Sequence, residues 1–268
     1  MSETVQSAGA RSGEFVQSLE RGLAVIRALG TDRARMTLSE VAREAELSRA
    51  SARRFLHTLV ELGYVVTDGR VFALRPRVLE LGYAYLSSLS LPEVAQPHLE
   101  QLAEDVGESS SMAVLDGTDI VYVARVATRR IMSAVIRVGT RFPAVATSMG
   151  RAILAHLPDV EREAFLATAT LTPLTQRTIT DKGALRIELD TVREQGWALV
   201  DQELEDGLRS IAVPLRDQAG RAIAAVNLSA PVRRGPVEEM AAGFLPPLLR
   251  AAREIEADLV RTRSVGEI

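Results

Sequence analysis

Arginine is the residue type around which chemistry concentrates in the first third of this sequence. Arg49, Arg53 and Arg54 fall within six residues, Arg70 follows close to a turn signal, and Lys182 is the only lysine in the chain. A guanidinium forks bidentately onto a phosphate or onto the edge of guanine, so such a cluster points to anion or base recognition. Hydroxyls accompany it. Thr37 and Ser39 stand at one expected helix start and Ser48 and Ser51 at the next, where free amides and hydroxyls can hold a phosphate. The alternatives are bland: a solvated helix face for the arginines, capping alone for the hydroxyls, and a soluble hairpin for Arg70. A catalytic reading finds less support. Ser148 has Gly150 two residues on but Ala146 two residues before, and no histidine follows His156, so neither a nucleophile elbow nor its base is spelled out. With no glycine-rich phosphate loop either, the chain reads as a non-enzyme.

The elements that must present these arginines can be traced from Thr37 to Pro76. Thr37-Leu38-Ser39-Glu40 is a capping box, and Leu38, Val41, Ala42 and Ala45 form the buried side of a short helix. A turn through Glu46 and Leu47 leads to Ser48, the expected N-cap of a second helix reaching Gly63. Ala52, Phe55, Leu56, Leu59 and Leu62 share one side of it, and the arginines and His57 lie elsewhere. Tyr64–Thr67 and Arg70–Ala73 then alternate around Asp68-Gly69, a two-residue hairpin signal. Helix, turn, arginine-rich helix and hairpin describe a winged helix-turn-helix that reads double-stranded DNA. A preceding helix over 15–29, stopped at Gly30, completes its core.

Charge and composition agree with that assignment once they are localised. The net charge is −3 over 268 residues, but residues 47–77 carry six arginines against Glu61 and Asp68. A basic reading head on an acidic body fits a regulator better than a nonspecific coating protein. Zero cysteines remove disulfides and thiolate metal sites, and three scattered histidines make a zinc site unexpected. No cofactor is implied, no apolar run is long enough for a membrane span, and residues 1–13 lack a signal-peptide core, so a cytoplasmic protein with a disordered N-terminal tail is expected.

Beyond Pro76 a helix is expected over 77–90, apolar at Val78, Leu81, Tyr85 and Leu89, and a stripe of this kind needs a partner such as a second protomer. Another helix runs from Pro92 to Val106. From Gly107 the period changes to two: strands are expected over 109–115, 120–126, 131–138, 197–200, 210–215 and 222–229, with helices over 147–157, 160–167, 182–195 and from Val237 to about Arg261. Hairpin-paired strands flanked by helices make an α+β domain with an antiparallel sheet. The expected organisation is therefore a winged helix-turn-helix at 14–76, a linker helix at 77–91, a second domain at 92–262 and a short tail.

The sequence resembles the IclR family of transcriptional regulators. Ser18-Leu19-Glu20-Arg21-Gly22-Leu23, Arg53-Arg54-Phe55-Leu56 and Leu59-Val60-Glu61-Leu62-Gly63-Tyr64 carry the likeness in the first domain. In the second they are Ala146-Thr147-Ser148-Met149-Gly150-Arg151 and the long run from Asp201 to Leu215. The resemblance is strongest to the branch that regulates protocatechuate, 4-hydroxybenzoate and β-ketoadipate catabolism. It implies a GAF-like effector domain, a homodimer or tetramer, and a small aromatic or dicarboxylic acid as effector. Carried over, the pocket positions are Ser148 and Met149 at a helix start, whose amides favour a carboxylate, with Asp201 and Ser210 across the sheet. Asp201 is odd for an anionic ligand; it could bind a ligand hydroxyl, orient Arg209 or be a turn carboxylate. Arg137 and Arg141 are the expected counter-charges. Two departures stand out: Glu46 occupies a turn position that often holds glycine, and Ser210 stands where many members have cysteine, which removes thiol chemistry.

Overall fold

A computed structural model describes residues 15–30, 35–81, 91–128 and 136–265. The chain divides into two compact units, Met1–Tyr85 and Leu86–Ile268.

In the first unit α1 (Gln17–Leu29) packs on α2 (Leu38–Glu44) and α3 (Arg49–Glu61) through Val25, Leu29, Val41, Leu56 and Leu59. The capping box forms: the Thr37 hydroxyl accepts from the Glu40 amide while the Glu40 carboxylate accepts from the Thr37 amide at 2.8 Å. Ser48 caps α3 through the Ser51 amide. Between these helices Glu46 has φ +53°, so the left-handed turn is made by a residue with a Cβ. That conformation costs about 1–2 kcal/mol in a non-glycine residue. At the end of α1 the expected glycine is present, but Gly30 has φ −88°, so its access to positive φ is unused.

β1 (Met36–Thr37), β3 (Val71–Leu74) and β2 (Val65–Thr67) form a small antiparallel sheet in that spatial order. Its hairpin corrects the two-residue turn expected at Asp68-Gly69. Thr67 pairs with Phe72, so four residues make the connection. The reason is local: the Asp68 carboxylate accepts from both the Arg70 and Val71 amides at 2.9 Å, and the Thr67 hydroxyl accepts from Gly69. Those two backbone bonds also hold the Asp68 carboxyl below its usual range. After Pro76 the chain makes a 3-10 turn (Pro76–Val78) and is helical at 79–81, while 82–90 of the expected linker helix lie outside the described residues.

The second unit is a six-stranded antiparallel sheet in the order β6-β5-β4-β9-β8-β7. The strands are β4 (Ser109–Asp116), β5 (Asp119–Val126), β6 (Arg141–Pro143), β7 (Ala198–Asp201), β8 (Leu208–Arg216) and β9 (Ala222–Pro231). One face carries Met112, Val226, Leu228 and Ile211 against α4 (Leu91–Val106) and α8 (Val237–Val265). The other carries Ala113, Tyr122, Ala225 and Ala212 against α5 (Ser148–Ala155) and α7 (Lys182–Gln195). A further helix, α6 (Asp159–Thr168), follows Pro158. The strand expected over 131–138 is corrected: 131–135 lie outside the described residues, 136–140 are not strand, and Arg141–Pro143 is what pairs with β5.

The start of α5 is held by a close backbone approach. Thr147 caps it through the Gly150 amide at 3.1 Å, and a 3-10 turn (Ala144–Ala146) folds directly over Gly150. A Cβ on Gly150 would lie 2.0 Å from the Ala144 carbonyl oxygen. Gly150→Ala should therefore destabilise the second unit by about 3 kcal/mol, the upper end of ordinary overpacking costs; an unchanged urea midpoint would show that the turn yields freely. Glu46→Gly should act in the opposite sense on the first unit. Relief of the left-handed penalty, less the entropy glycine adds to the unfolded chain, predicts a gain of about 1 kcal/mol at constant m-value. A midpoint that falls would mean that Glu46 makes a compensating interaction.

Candidate functional site

Two sets of side chains stand out chemically, one in each unit. In the first unit Arg49, Arg53, Arg54 and Arg70 are all exposed, and none has a carboxylate partner among the described residues. Two other cations of the same unit are engaged, while Arg21, Arg27, Arg43 and Arg75 have no carboxylate partner among the described residues either. Arg77 donates to the Leu62 carbonyl at 3.0 Å, pairs with Glu80 and lies over the Tyr64 ring, and Arg35 approaches Asp68. The amphipathic pattern of α3 produces this division, because Ala52, Leu56 and Leu59 are drawn into the core and Arg49, Arg53 and Arg54 are left outward. The hydroxyls named from sequence lie at the starts of α2 and α3. Thr37 and Ser48 are already occupied as caps, Ser51 accepts from the Ser48 hydroxyl at 3.0 Å, and Ser39 is exposed.

In the second unit the sheet face beneath α5 turns polar toward one end. Asn227 and Ser229 follow Ala225 on that face of β9, and Ser111 and Ser109 are their cross-strand neighbours on β4. Ser210 of β8 pairs with Ser229. Arg125 of β5 pairs with Ser111 and donates to its hydroxyl at 3.1 Å, while Asn227 donates to Ser229, also at 3.1 Å. A β-bulge makes this row possible. Tyr122 opposes Ala113 and Ala124 opposes Met112, so β5 carries one extra residue at Val123. Tyr122 and Arg125, three residues apart, consequently share a face that simple alternation would deny them.

This face holds unsatisfied polar atoms. Among the described residues four buried side-chain polar atoms lack a hydrogen-bond partner: Arg125 Nε, Ser148 Oγ, Asn227 Oδ1 and Arg162 Nε. The first and third belong to the polar row, and Ser148 lies at the start of the helix packed on β8, β9 and β4. A buried polar group left unpaired costs about 1–3 kcal/mol, so three on one side of a sheet are a recurrent feature of a site that meets a polar ligand. Burial draws the Arg125 guanidinium below its usual range, with the neighbouring Tyr122 acting in the opposite sense. Burial likewise pushes the Tyr122 phenol up to about 12, so it stays protonated and can donate. Among the described residues the Ser148 hydroxyl has no hydrogen-bond partner that could serve as a base.

The other positions named from sequence fall as follows. Met149 is fully buried in the core between α5 and the sheet. Asp201 is committed to cations: it accepts from Arg209 Nε and pairs with Arg177 at 2.9 Å, while Arg209 also donates to the Gly235 carbonyl. Of the three roles weighed for it, orienting Arg209 is the one its contacts match. The expected counter-charges are corrected in position. Arg141 is nearly half exposed and bound to Asp116 and Asp119 at the end of the β4–β5 hairpin, and Arg137 is exposed in the preceding turn. Among the described residues, the cation on the polar face is Arg125. The available signal was an arginine near the end of an otherwise apolar strand, but strict period-two alternation would put residues 122 and 125 on opposite faces, and the bulge is not written in that period.

The comparisons with known proteins agree with both units. Residues 18–69 match the IclR helix-turn-helix domain and residues 83–257 match the family "Bacterial transcriptional regulator IclR C-terminal". The Pca regulon regulatory protein of Pseudomonas putida is 46% identical over 243 residues, covering 90% of this chain and 84% of that one. The p-hydroxybenzoate hydroxylase transcriptional activator of Acinetobacter baylyi is 36% identical over 250 residues, covering 91% and 92%. A crystal structure of an IclR homolog complexed with 4-hydroxybenzoate from Microbacterium hydrocarbonoxydans superposes with a TM-score of 0.80 at 30% identity, covering 91% of this chain and 99% of that one. With a helix-turn-helix followed by a helix-flanked antiparallel sheet, and with family matches over both units, the chain belongs to the IclR family of bacterial transcriptional regulators.

Proposed function

We propose that this protein regulates an operon for the breakdown of aromatic acids, binding operator DNA through α3 and a small aromatic carboxylate on the polar face beneath α5. The observation that carries the effector half is the placement of Arg125 and Asn227 on the polar face beneath α5 and of Ser148 at the start of that helix, each with a buried polar atom that has no partner among the described residues. Arg125 supplies the charge for the ligand carboxylate, with Ser111 and Asn227 beside it, because burying a carboxylate without a cation is costly. Ser148 and the free amides of the α5 start take the ring hydroxyl. The relatives named for the Pca regulon and for p-hydroxybenzoate hydroxylase support this ligand class.

In the DNA half, Arg49, Arg53 and Arg54 reach base edges and phosphates from α3, Thr37, Ser39, Ser48 and Ser51 line the two helix starts, and Arg70 reaches along the wing. The protein acts as a homodimer or tetramer in the cytoplasm, where its operator lies. Val16, Leu19 and Leu23 leave an exposed apolar stripe on α1, which supports pairing of the reading units. The effector acts by binding the alternative arrangements of the reading units unequally; equal affinity would shift nothing. No step in this scheme makes or breaks a covalent bond.

Two experiments test the halves separately. With DNA from the promoter region beside the gene, Arg53→Ala/Arg54→Ala should weaken binding by at least about tenfold, since each base contact is worth about 1–3 kcal/mol. The remaining affinity should fall less steeply with salt than in the wild type. Wild-type affinity in the double variant would remove α3 from the interface. For the effector, calorimetry with 4-hydroxybenzoate, protocatechuate and β-ketoadipate should give saturable binding of at least one acid, lost in Arg125→Met and kept in Arg141→Met. The reverse pattern would hand the counter-charge to Arg141, and silence from all three acids would overturn the ligand class.

A further inference from the structure

Arg151 heads the fully buried side chains among the described residues, with 1% of its surface exposed. It lies one turn after Ser148 on α5, so the two share a side of the helix. Its guanidinium is almost fully committed. Nη1 and Nη2 fork onto the two carboxylate oxygens of Glu203, with Nη1 to Oε1 at 2.7 Å, and Nε donates to the Val145 carbonyl at 2.9 Å. Glu188 stands 3.6 Å away as a second carboxylate. Glu203 is tied in turn. Its Oε2 accepts from the Ile179 amide at 3.0 Å, and its carbonyl accepts from the Thr178 hydroxyl at 2.7 Å. One residue earlier, Gln202 is held at φ +62° with its carbonyl bound to Thr175. The pair therefore joins the turn over Gly150, the start of α5, the segment 175–179 and the β7–β8 connection.

Stability alone does not account for such a pair. Desolvating two charges offsets most of their attraction, and an apolar replacement of similar volume is often neutral or stabilising. What an apolar pair cannot reproduce is direction: a planar fork on a carboxylate fixes the rotation of the element that carries it.

We infer that Arg151 and Glu203 are positioning residues for the effector site, fixing the rotation of the α5 start and with it the aim of the Ser148 hydroxyl and the adjacent amides. This rests on the reading of the polar face as an effector site, and it adds an electrostatic consequence. Glu203 neutralises Arg151 locally, so Arg125 is left as the cation that selects the carboxylate end of the ligand.

The test uses the full-length protein and the variant Arg151→Met/Glu203→Leu. The variant should remain folded, with a melting temperature lowered by no more than the loss of the Val145 and Ile179 bonds implies, while affinity for the acid that the wild type binds falls roughly 10- to 100-fold, the scale of an ångström-sized misplacement. In the absence of ligand, amide hydrogen exchange at Gly150 and Arg151, which bond to Thr147, should accelerate by a similar factor while Leu185 and Leu189 of α7 stay protected. A folded variant with wild-type affinity and exchange overturns the proposal. If the wild type binds none of the acids, the effector reading fails, and hydrogen exchange still decides whether the pair sets the helix start. Should the double variant not fold, Arg151→Lys keeps the charge but not the fork; it should show the same loss and acceleration, and unchanged values there overturn the proposal.

Discussion

Unsatisfied hydrogen-bonding capacity on one face of the sheet is the constraint on which the second unit depends. Arg125 Nε, Asn227 Oδ1 and Ser148 Oγ are buried without partners among the described residues, and a group left so weakens the unit by about 1–3 kcal/mol. The opposite face shows the contrast. It is filled by Met112, Val226, Leu228 and Ile211 beneath two long helices, and its one hydroxyl, Ser110, donates to the Leu99 carbonyl at 2.7 Å. The sheet therefore has one satisfied, apolar face and one under-satisfied, polar end, and the proposed effector site lies at the latter. The buried Arg151–Glu203 fork, the cap at Thr147 and the tight turn over Gly150 all bear on the same short helix start.

The first unit follows the same logic with its charges turned outward. Arg77 is consumed locally by Leu62, Glu80 and Tyr64. The α3 arginines have no such partner among the described residues, so their field is available to a polyanion. The strained left-handed Glu46 lies in the turn that sets α3 relative to α2. A local cost at the joint of a reading element is common where function fixes the geometry.

Much of this was legible in the sequence, for reasons that are local. Capping boxes, N-caps and helix stops act within four residues, so Thr37–Glu40, Ser48 and the helix from Lys182 to Gly196 could be read directly. The left-handed Glu46 followed from its place in the turn, and the exposure of Arg49, Arg53 and Arg54 followed from the helical period. The family followed from long motifs. What depended on tertiary structure was which side chains meet. The hairpin at Asp68 widened because a carboxylate captured two amides. Arg141, expected in a pocket, went to Asp116 and Asp119, which only the pairing of β6 with β5 brings near. Arg125 reached the polar face through a bulge that one-dimensional alternation does not encode, and Glu203 found Arg151 across 52 residues. The sequence by itself determined most of the helices, their caps and the outward arginine face of α3, because those depend on neighbours along the chain. The composition of the site was decided only in three dimensions, because strand register and the pairing of buried charges depend on partners that are distant in sequence.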